Sequence, residues 1–204
     1  MTRWLIIGAA GLLGREFVDV LRAAGEDARP TALGRDALDV TDADAVLDAV
    51  CGHSVVINAA AWTDVDAAET HEAAATAVNS TGVRHLAAAC ARHGARLLHV
   101  STDYVFPGHG TTPWSEDTPP APLNAYGRTK AAGEKAVREL DPARVRPVDS
   151  THYPRPAPRP AWSVPSHAGW ARAGMGPLDS WRPMLASAFA TGVFPAPGGG
   201  EGAG

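Results

Sequence analysis

The 204-residue sequence has only two cysteines, Cys51 and Cys90, and contains no cluster of basic residues. Two isolated thiols are typical of a reducing compartment and give little support to a fold built on disulfides. The net charge of −4 gives no reason to expect a nucleic acid partner. Since we find no signal peptide and no apolar run long enough to span a bilayer, we expect a cytoplasmic protein that does not contact membranes.

Two further absences exclude common kinds of catalytic site. The eight histidines show no ligand spacing, so we predict no metal site from them. The chain has no Gly-x-Ser-x-Gly sequence and no histidine placed to serve such a serine, which argues against a serine hydrolase.

Short apolar runs alternate with helical patterns over the first 140 residues. This alternation predicts an α/β fold, a Rossmann-type doubly wound parallel sheet covered on both faces, with ligands bound beyond the carboxyl ends of the strands. The expected strands are 3–8, 28–33, 54–60 and 96–100, and the expected helices are 15–24, 41–50, 69–93 (in one piece or two) and 123–140.

The character of the sequence changes after Asp141, because 11 of the 17 prolines follow it. Such a density of proline excludes a regular helix or a central strand over 142–165. We therefore expect a Rossmann domain over 1–141 and a truncated, Pro-rich irregular region over 142–194, with one short helix over 178–190. The Gly/Pro-rich segment 195–204 is expected to be disordered.

Three glycines, Gly8, Gly11 and Gly14, follow the first strand and open the first helix. This spacing is typical of a dinucleotide site, in which glycines allow a sharp turn and a close approach of the pyrophosphate. The backbone amides that lead into this helix, at Leu12 and Leu13, would then face the phosphates.

The ends of the next strands indicate which nicotinamide is bound. Arg35 follows the second strand, where it can pair with a 2′-phosphate, so we favour NADPH and leave NADH open. Asp39 and Val40 are expected along the adenine. The small residues Ala59, Ala60 and Ala61 end the third strand and leave room for a cofactor to cross the sheet.

Tyr126 and Lys130 lie one helical turn apart, downstream of Ser101-Thr102-Asp103 at the end of the fourth strand. An ammonium beside a phenol lowers its pKa and makes it a better proton donor to a carbonyl oxygen. Alternation along the strand aims Thr102, rather than Ser101, at the cleft. We predict that Thr102, Tyr126 and Lys130 are catalytic, with Tyr126 and Lys130 also contacting the cofactor.

The sequence resembles the extended short-chain dehydrogenase/reductases, and within them the dTDP-4-dehydrorhamnose reductase family. The segments that carry the resemblance are Gly-Ala-Ala-Gly-Leu-Leu-Gly at 8–14, Asn-Ala-Ala-Ala-Trp-Thr-Asp-Val-Asp-Ala-Ala-Glu at 58–69, Ala-Val-Asn at 77–79, Ser-Thr-Asp-Tyr-Val-Phe-Pro-Gly at 101–108 and Pro-Leu-Asn-Ala-Tyr-Gly-Arg-Thr-Lys at 122–130.

The resemblance implies that the chain reduces the 4-keto group of dTDP-4-dehydro-L-rhamnose with NADPH. It places Asp103 and Asn124 near the dTDP-sugar, beside Thr102. It also matches Glu16 to a position that in some members helps to hold Mg²⁺ at a dimer contact, although the partners for that ion lie partly in a stretch that this chain lacks. We therefore assign no metal, and a homodimer remains an expectation.

Members of the family carry roughly a hundred further residues where Leu140-Asp141-Pro142 here leads directly to the family's tail motif, about the size of a small domain. The resemblance thus implies an internal deletion, a remnant substrate-binding region over 142–194, and weakened or absent turnover. Two alternatives stay open: another nucleotide-sugar epimerase or reductase, and a non-catalytic nucleotide-binding regulatory subunit.

Overall fold

The computed structural model describes residues 2–25, 30–109, 113–115 and 118–140. The regions expected over 142–194 and 195–204, and the helix expected over 178–190, lie outside the described residues. Within the described ranges, no helix is long and apolar enough to cross a membrane.

Four parallel strands form one sheet in the order β2-β1-β3-β4. After β2 the chain passes to the other side of β1, so strand order reverses between β1 and β3. Ile7 pairs with Leu33 and Asn58, and Asn58 pairs with His99, which aligns the carboxyl ends of all four strands. The strands are β1 Trp4–Ile7, β2 Thr31–Leu33, β3 Val55–Asn58 and β4 Arg96–His99.

Six α-helices connect and follow these strands in the described part of the chain: α1 Leu12–Ala23, α2 Ala43–Val50, α3 Val65–Thr70, α4 Glu72–Thr76, α5 Gly82–His93 and α6 Ala125–Leu140. A π-helical turn over Ala77–Thr81 joins α4 to α5, and a 3₁₀ turn over Asp103–Val105 follows β4. The doubly wound architecture expected from the sequence is confirmed in these residues.

Two helices begin three or more residues before their expected starts. The first helix begins at Leu12 rather than Arg15, because Gly11 is its N-cap. The helix expected over 69–93 begins at Val65, since the Asp64 carboxylate accepts a hydrogen bond from the Ala67 amide and caps it. It then breaks at His71 and passes through the π-helical turn.

One face of the sheet packs against α2 and α5, where Val46, Val50 and Leu86 are fully buried. All four residues of β3 are buried, whereas β4 has no fully buried residue. Within the described residues β4 is an edge strand, so one flank of the sheet is less covered than its centre.

Candidate active site

The turn after β1 is formed by backbone atoms. The Gly8 and Ala9 amides both donate to the Leu33 carbonyl, at 2.9 and 3.0 Å. Gly8 has φ +79°, and a Cβ added to it would lie 2.5 Å from the Ala60 nitrogen. A Cβ on Gly14 would overlap the Gly8 carbonyl oxygen. Only glycine therefore allows β1, the end of β3 and α1 to approach each other this closely.

The first turn of α1 has neither a capping side chain nor an acidic residue. Its free amides and the positive end of the helix dipole favour an anion there. Leu12 is exposed and Leu13 is half-buried at this helix start. The glycine turn, together with these amides, fits the pyrophosphate of a dinucleotide.

The ends of β2 and β3 border the same turn. The Ala59 amide donates to the Ile7 carbonyl, and the Ala60 amide donates to Asn58 Oδ1 at 3.0 Å. Ala59, Ala60 and Ala61 are all half-buried. The small side chains predicted to lie under a cofactor are thus next to Gly8.

The residues predicted to select and contact the adenosine end differ in their exposure. Arg35 and Asp39 are exposed. Hydrogen bonds from Thr41 hold the pKa of Asp39 below its ordinary value, and the charge of Arg35 adds to this effect. Val40 is instead buried, and its side chain packs against Gly82 of α5. Asp39 is therefore the more accessible of the two residues expected along the adenine.

Polar side chains fix the start of α6, which carries Tyr126 and Lys130. Asn124 Oδ1 accepts a hydrogen bond from the Gly127 amide at 2.7 Å, which is an N-cap contact. Glu69 Oε1 accepts another from the buried Ala125 amide at 2.8 Å. Asn124, which we expected near the substrate, is observed here as the residue that caps the helix.

Lys130 is almost completely buried, with 2% of its surface exposed. Its ammonium donates to the Val100 carbonyl at 2.6 Å, just beyond β4. Burial lowers the pKa of Lys130 to about 8, even though the carboxylate of Glu134 acts in the opposite direction. The amine is therefore close to its titration range near physiological pH.

The structure brings Tyr126 to the same strand end. The Tyr126 ring contacts Tyr104 edge to face, with ring centres 5.6 Å apart. Thr102 lies between the contacts that Lys130 makes at Val100 and Tyr126 makes at Tyr104. The predicted catalytic residues are thus positioned by contacts between α6 and the segment after β4.

The hydroxyls of Ser101 and Thr102 have different partners. Ser101 donates a short hydrogen bond to Glu134 of α6. Thr102 donates to Asp103 Oδ1 at 3.1 Å and accepts weakly from the Tyr104 amide at 3.3 Å. To donate to a substrate oxygen, the Thr102 hydroxyl must turn away from Asp103.

Sequence reasoning gave no role to three polar residues beside this site. His99 Nδ1 lies 3.1 Å from Asn58 Nδ2 across the β3–β4 pair. The side chain of the buried Asn79 accepts a hydrogen bond from the Trp62 backbone amide, and it donates to the Trp62 carbonyl and to the Thr129 hydroxyl. Asn58 and Asn79 stood in the motifs that carry the family resemblance. The signal that could have identified His99 was its position at a strand end opposite Asn58.

No group of three or more histidine, cysteine or acidic side chains within the described ranges is arranged to hold a metal ion. Glu16, which the family resemblance connected with Mg²⁺, is exposed on α1. The metal therefore stays unassigned.

The profile of the family described as RmlD substrate binding domain matches residues 2–143. A dTDP-4-dehydrorhamnose reductase of Streptomyces griseus is 36% identical over 284 aligned positions, covering 92% of this chain and 93% of the relative. The chain belongs to the dTDP-4-dehydrorhamnose reductase family. That alignment has 80 more positions than this chain has residues, which agrees with the internal deletion read from the sequence.

Two further members are informative in different ways. A dTDP-4-keto-6-deoxy-D-glucose reductase of Streptomyces niveus is 48% identical over 142 residues, covering 69% of this chain and 49% of the relative. The crystal structure of a dTDP-4-dehydrorhamnose reductase of Bacillus anthracis in complex with NADP is 36% identical, with a TM-score of 0.65. That match covers 69% of this chain and 50% of the solved chain, so the matched part of this chain corresponds to about half the length of the solved relative.

Proposed function

We propose that this chain reduces the 4-keto group of dTDP-4-dehydro-L-rhamnose with NADPH and yields dTDP-L-rhamnose. The observation that carries the proposal is the position of Tyr126 one helical turn before the buried Lys130, whose ammonium reaches the end of β4. The name of the Streptomyces griseus relative, aligned over nearly its whole length, supports the same reaction.

Residues at the carboxyl ends of β1, β2 and β3 would hold the cofactor. Gly8, Gly11 and Gly14 would accommodate the pyrophosphate, because a Cβ at Gly8 or Gly14 would collide with the backbone of Ala60 or of Gly8 and open the turn that receives it. The exposed Arg35 supports NADPH over NADH by offering a charge to a 2′-phosphate. When bound, NADPH supplies a hydride to the carbonyl carbon of the sugar.

Side chains of the protein supply the proton that the carbonyl oxygen receives during the reduction. Tyr126 gives its phenolic proton to the carbonyl oxygen as hydride arrives at the carbon. The Lys130 ammonium favours the resulting phenolate. Thr102, once turned from Asp103, donates a hydrogen bond to the same oxygen, where negative charge develops. Asp103 and Asn124 are expected beside the sugar nucleotide.

The deciding experiment measures NADPH oxidation with dTDP-4-dehydro-L-rhamnose, at enzyme concentrations comparable with that of the cofactor. We expect slow turnover, because about a hundred family positions are missing from this chain. Tyr126→Phe should lower the rate by roughly 10² to 10⁴-fold, the usual contribution of a general acid. NADPH binding, followed by its fluorescence, should change far less than the rate, because phenylalanine keeps the ring and removes only the hydroxyl.

The two lysines of the chain provide a matched pair. Lys130→Met should abolish most of the residual rate, whereas Lys135→Met should not, because the Lys135 side chain is 76% exposed. A Tyr126→Phe chain as fast as the parent would contradict the proposal. NADPH binding without any oxidation would favour the regulatory alternative.

The sugar is tested by substrate competition. The name of the Streptomyces niveus relative suggests dTDP-4-keto-6-deoxy-D-glucose as the competing substrate. A preference of this chain for that sugar would overturn the rhamnose assignment. NAD retained through purification would instead favour an epimerase. We further infer a cytoplasmic location and a homodimer; light scattering on the purified chain would test the dimer.

A further inference from the structure

A chain of polar groups leads from the end of β3 to the buried amine of Lys130. The Ala60 amide donates to Asn58 Oδ1 at 3.0 Å, and Asn58 Nδ2 lies 3.1 Å from His99 Nδ1. On the other side of the ring, His99 Nε2 lies 3.5 Å from Lys130 Nζ. We call these groups the amide–imidazole–amine chain.

The Ala60 amide determines which groups donate and which accept along the amide–imidazole–amine chain. Its hydrogen bond requires the oxygen of the Asn58 side chain, so the nitrogen of that side chain faces the imidazole as a donor. His99 Nδ1 must then accept, and a neutral ring carries its proton on Nε2. Burial, together with the nearby Lys130 charge, lowers the pKa of His99 to about 3, so the ring is neutral at physiological pH.

The Nε2–H group therefore faces the amine of Lys130. An ammonium has only donors, whereas a neutral amine has a lone pair that can accept this hydrogen. Protonated Lys130 thus places two donors opposite each other at 3.5 Å, a long contact. Two groups oppose this effect and favour the ammonium: the Val100 carbonyl, and the Glu134 carboxylate one turn further along α6.

We propose that His99 is a positioning residue for Lys130, which presents a donor to the amine and so makes its deprotonation easier. The catalytic meaning of this role rests on the proposed function. After the Tyr126 proton passes to the sugar oxygen, the phenolate can recover a proton from Lys130. The neutral amine of Lys130 then accepts a hydrogen bond from His99 Nε2–H, which keeps its proton. Lys130 later regains its own proton from water.

Because Lys130 and Lys135 are the only lysines in the sequence, isotope-labelled lysine gives an unusually simple NMR spectrum. Lys135→Met assigns the remaining signal to Lys130. In the parent chain, we expect the Lys130 signal to titrate near pH 8.

His99→Phe keeps a ring in place but removes the N–H group. The Lys130 midpoint should then rise by about half a pH unit or more, because loss of the facing donor favours the ammonium. A folded His99→Phe chain with an unchanged or lower Lys130 midpoint would overturn the proposal.

A second measurement needs no variant. Nitrogen NMR of labelled histidine in the parent chain should show His99 protonated at Nε2 and bare at Nδ1, while a proton on Nδ1 would contradict the proposal. Neither measurement requires turnover. A chain that passes both but never oxidises NADPH would disprove the proposed reductase function and leave the role of His99 toward Lys130 intact.

Discussion

At the carboxyl end of β1 the candidate site is made of backbone atoms, whereas at the end of β4 it is made of side chains. Gly8 lies where a Cβ would come 2.5 Å from the Ala60 nitrogen. Lys130 is held by hydrogen bonding at Val100 and by the charges and dipoles around its amine. The glycine region, around Gly8, depends on the absence of side-chain atoms. The lysine region, around Lys130, depends on a balance of opposing interactions.

This difference implies two kinds of response to mutation. Packing forces rise steeply at short range, so adding one methyl group to the glycine turn should have an all-or-none effect. Electrostatic and hydrogen-bond contributions are individually about 1 to 3 kcal/mol and partly offset each other. Changes around Lys130 should therefore act in graded steps that depend on pH.

The largest effect should come from Gly8→Ala. An alanine there combines φ +79° with a close contact to the backbone of Ala59 and Ala60, which cannot move without disturbing β3. We expect the free energy of unfolding to fall by about 3 kcal/mol or more. NADPH binding should be lost in any chain that still folds. Chemical denaturation and cofactor fluorescence measure the two effects.

Gly94→Ala is the matched control for this change. Gly94 ends α5 with a similar φ of +69°, but a Cβ there meets nothing within 4 Å. Its cost should be limited to backbone strain of about 1 to 2 kcal/mol, with NADPH binding retained. Equal destabilisation by the two variants would show that contact with β3 is not what makes Gly8 necessary.

The sequence was sufficient to predict the glycine turn after β1, although not the residue at which α1 begins. The spacing of Gly8, Gly11 and Gly14 after an apolar run indicated a strand followed by a tight turn. Such a turn depends on residues close together in the sequence, so the sequence pattern predicts it well. The helix start at Val65 was missed, because Asp64 was not read as an N-cap. The sequence allowed for two pieces but did not place the break at His71, after which α4 and the π-helical turn pack against α6.

The lysine region could be predicted only in part. The spacing of Tyr126 and Lys130 indicated a shared helical face, but not that the amine is buried or that it reaches Val100. The roles of Asn58 and His99 depend on the register between β3 and β4. Because 41 residues separate these two side chains, sequence alone does not reveal their hydrogen bond.

The next largest effect concerns the pH dependence of stability. The folded pKa of Lys130, about 8, lies below its unfolded value of about 10.4. Between these values the unfolded chain binds more protons, so Lys130 makes the free energy of unfolding rise with pH. The rise should approach about 1.4 kcal/mol per pH unit in this window. Below pH 8 this contribution does not change with pH.

The measurement compares the parent with Lys130→Met in urea denaturation at several pH values between 7 and 10. Buried Cys90 has a pKa raised to about 12 by desolvation and acts in the opposite direction above pH 9, but it is common to both chains and cancels. The difference in stability should turn in favour of the parent as pH rises. A difference independent of pH would mean that Lys130 titrates normally.

The smallest effect should come from the contact that fixes the start of α6. Glu69→Ala leaves the buried Ala125 amide without its acceptor and should cost about 1 kcal/mol in unfolding free energy. Glu69→Gln keeps an acceptor oxygen and should recover most of this loss. Glu72→Ala removes an exposed partner of Arg128 and should cost less than Glu69→Ala. If Glu72→Ala proved the more damaging, the start of α6 would depend on its surface ion pair rather than on the hydrogen bond from Glu69 of α3.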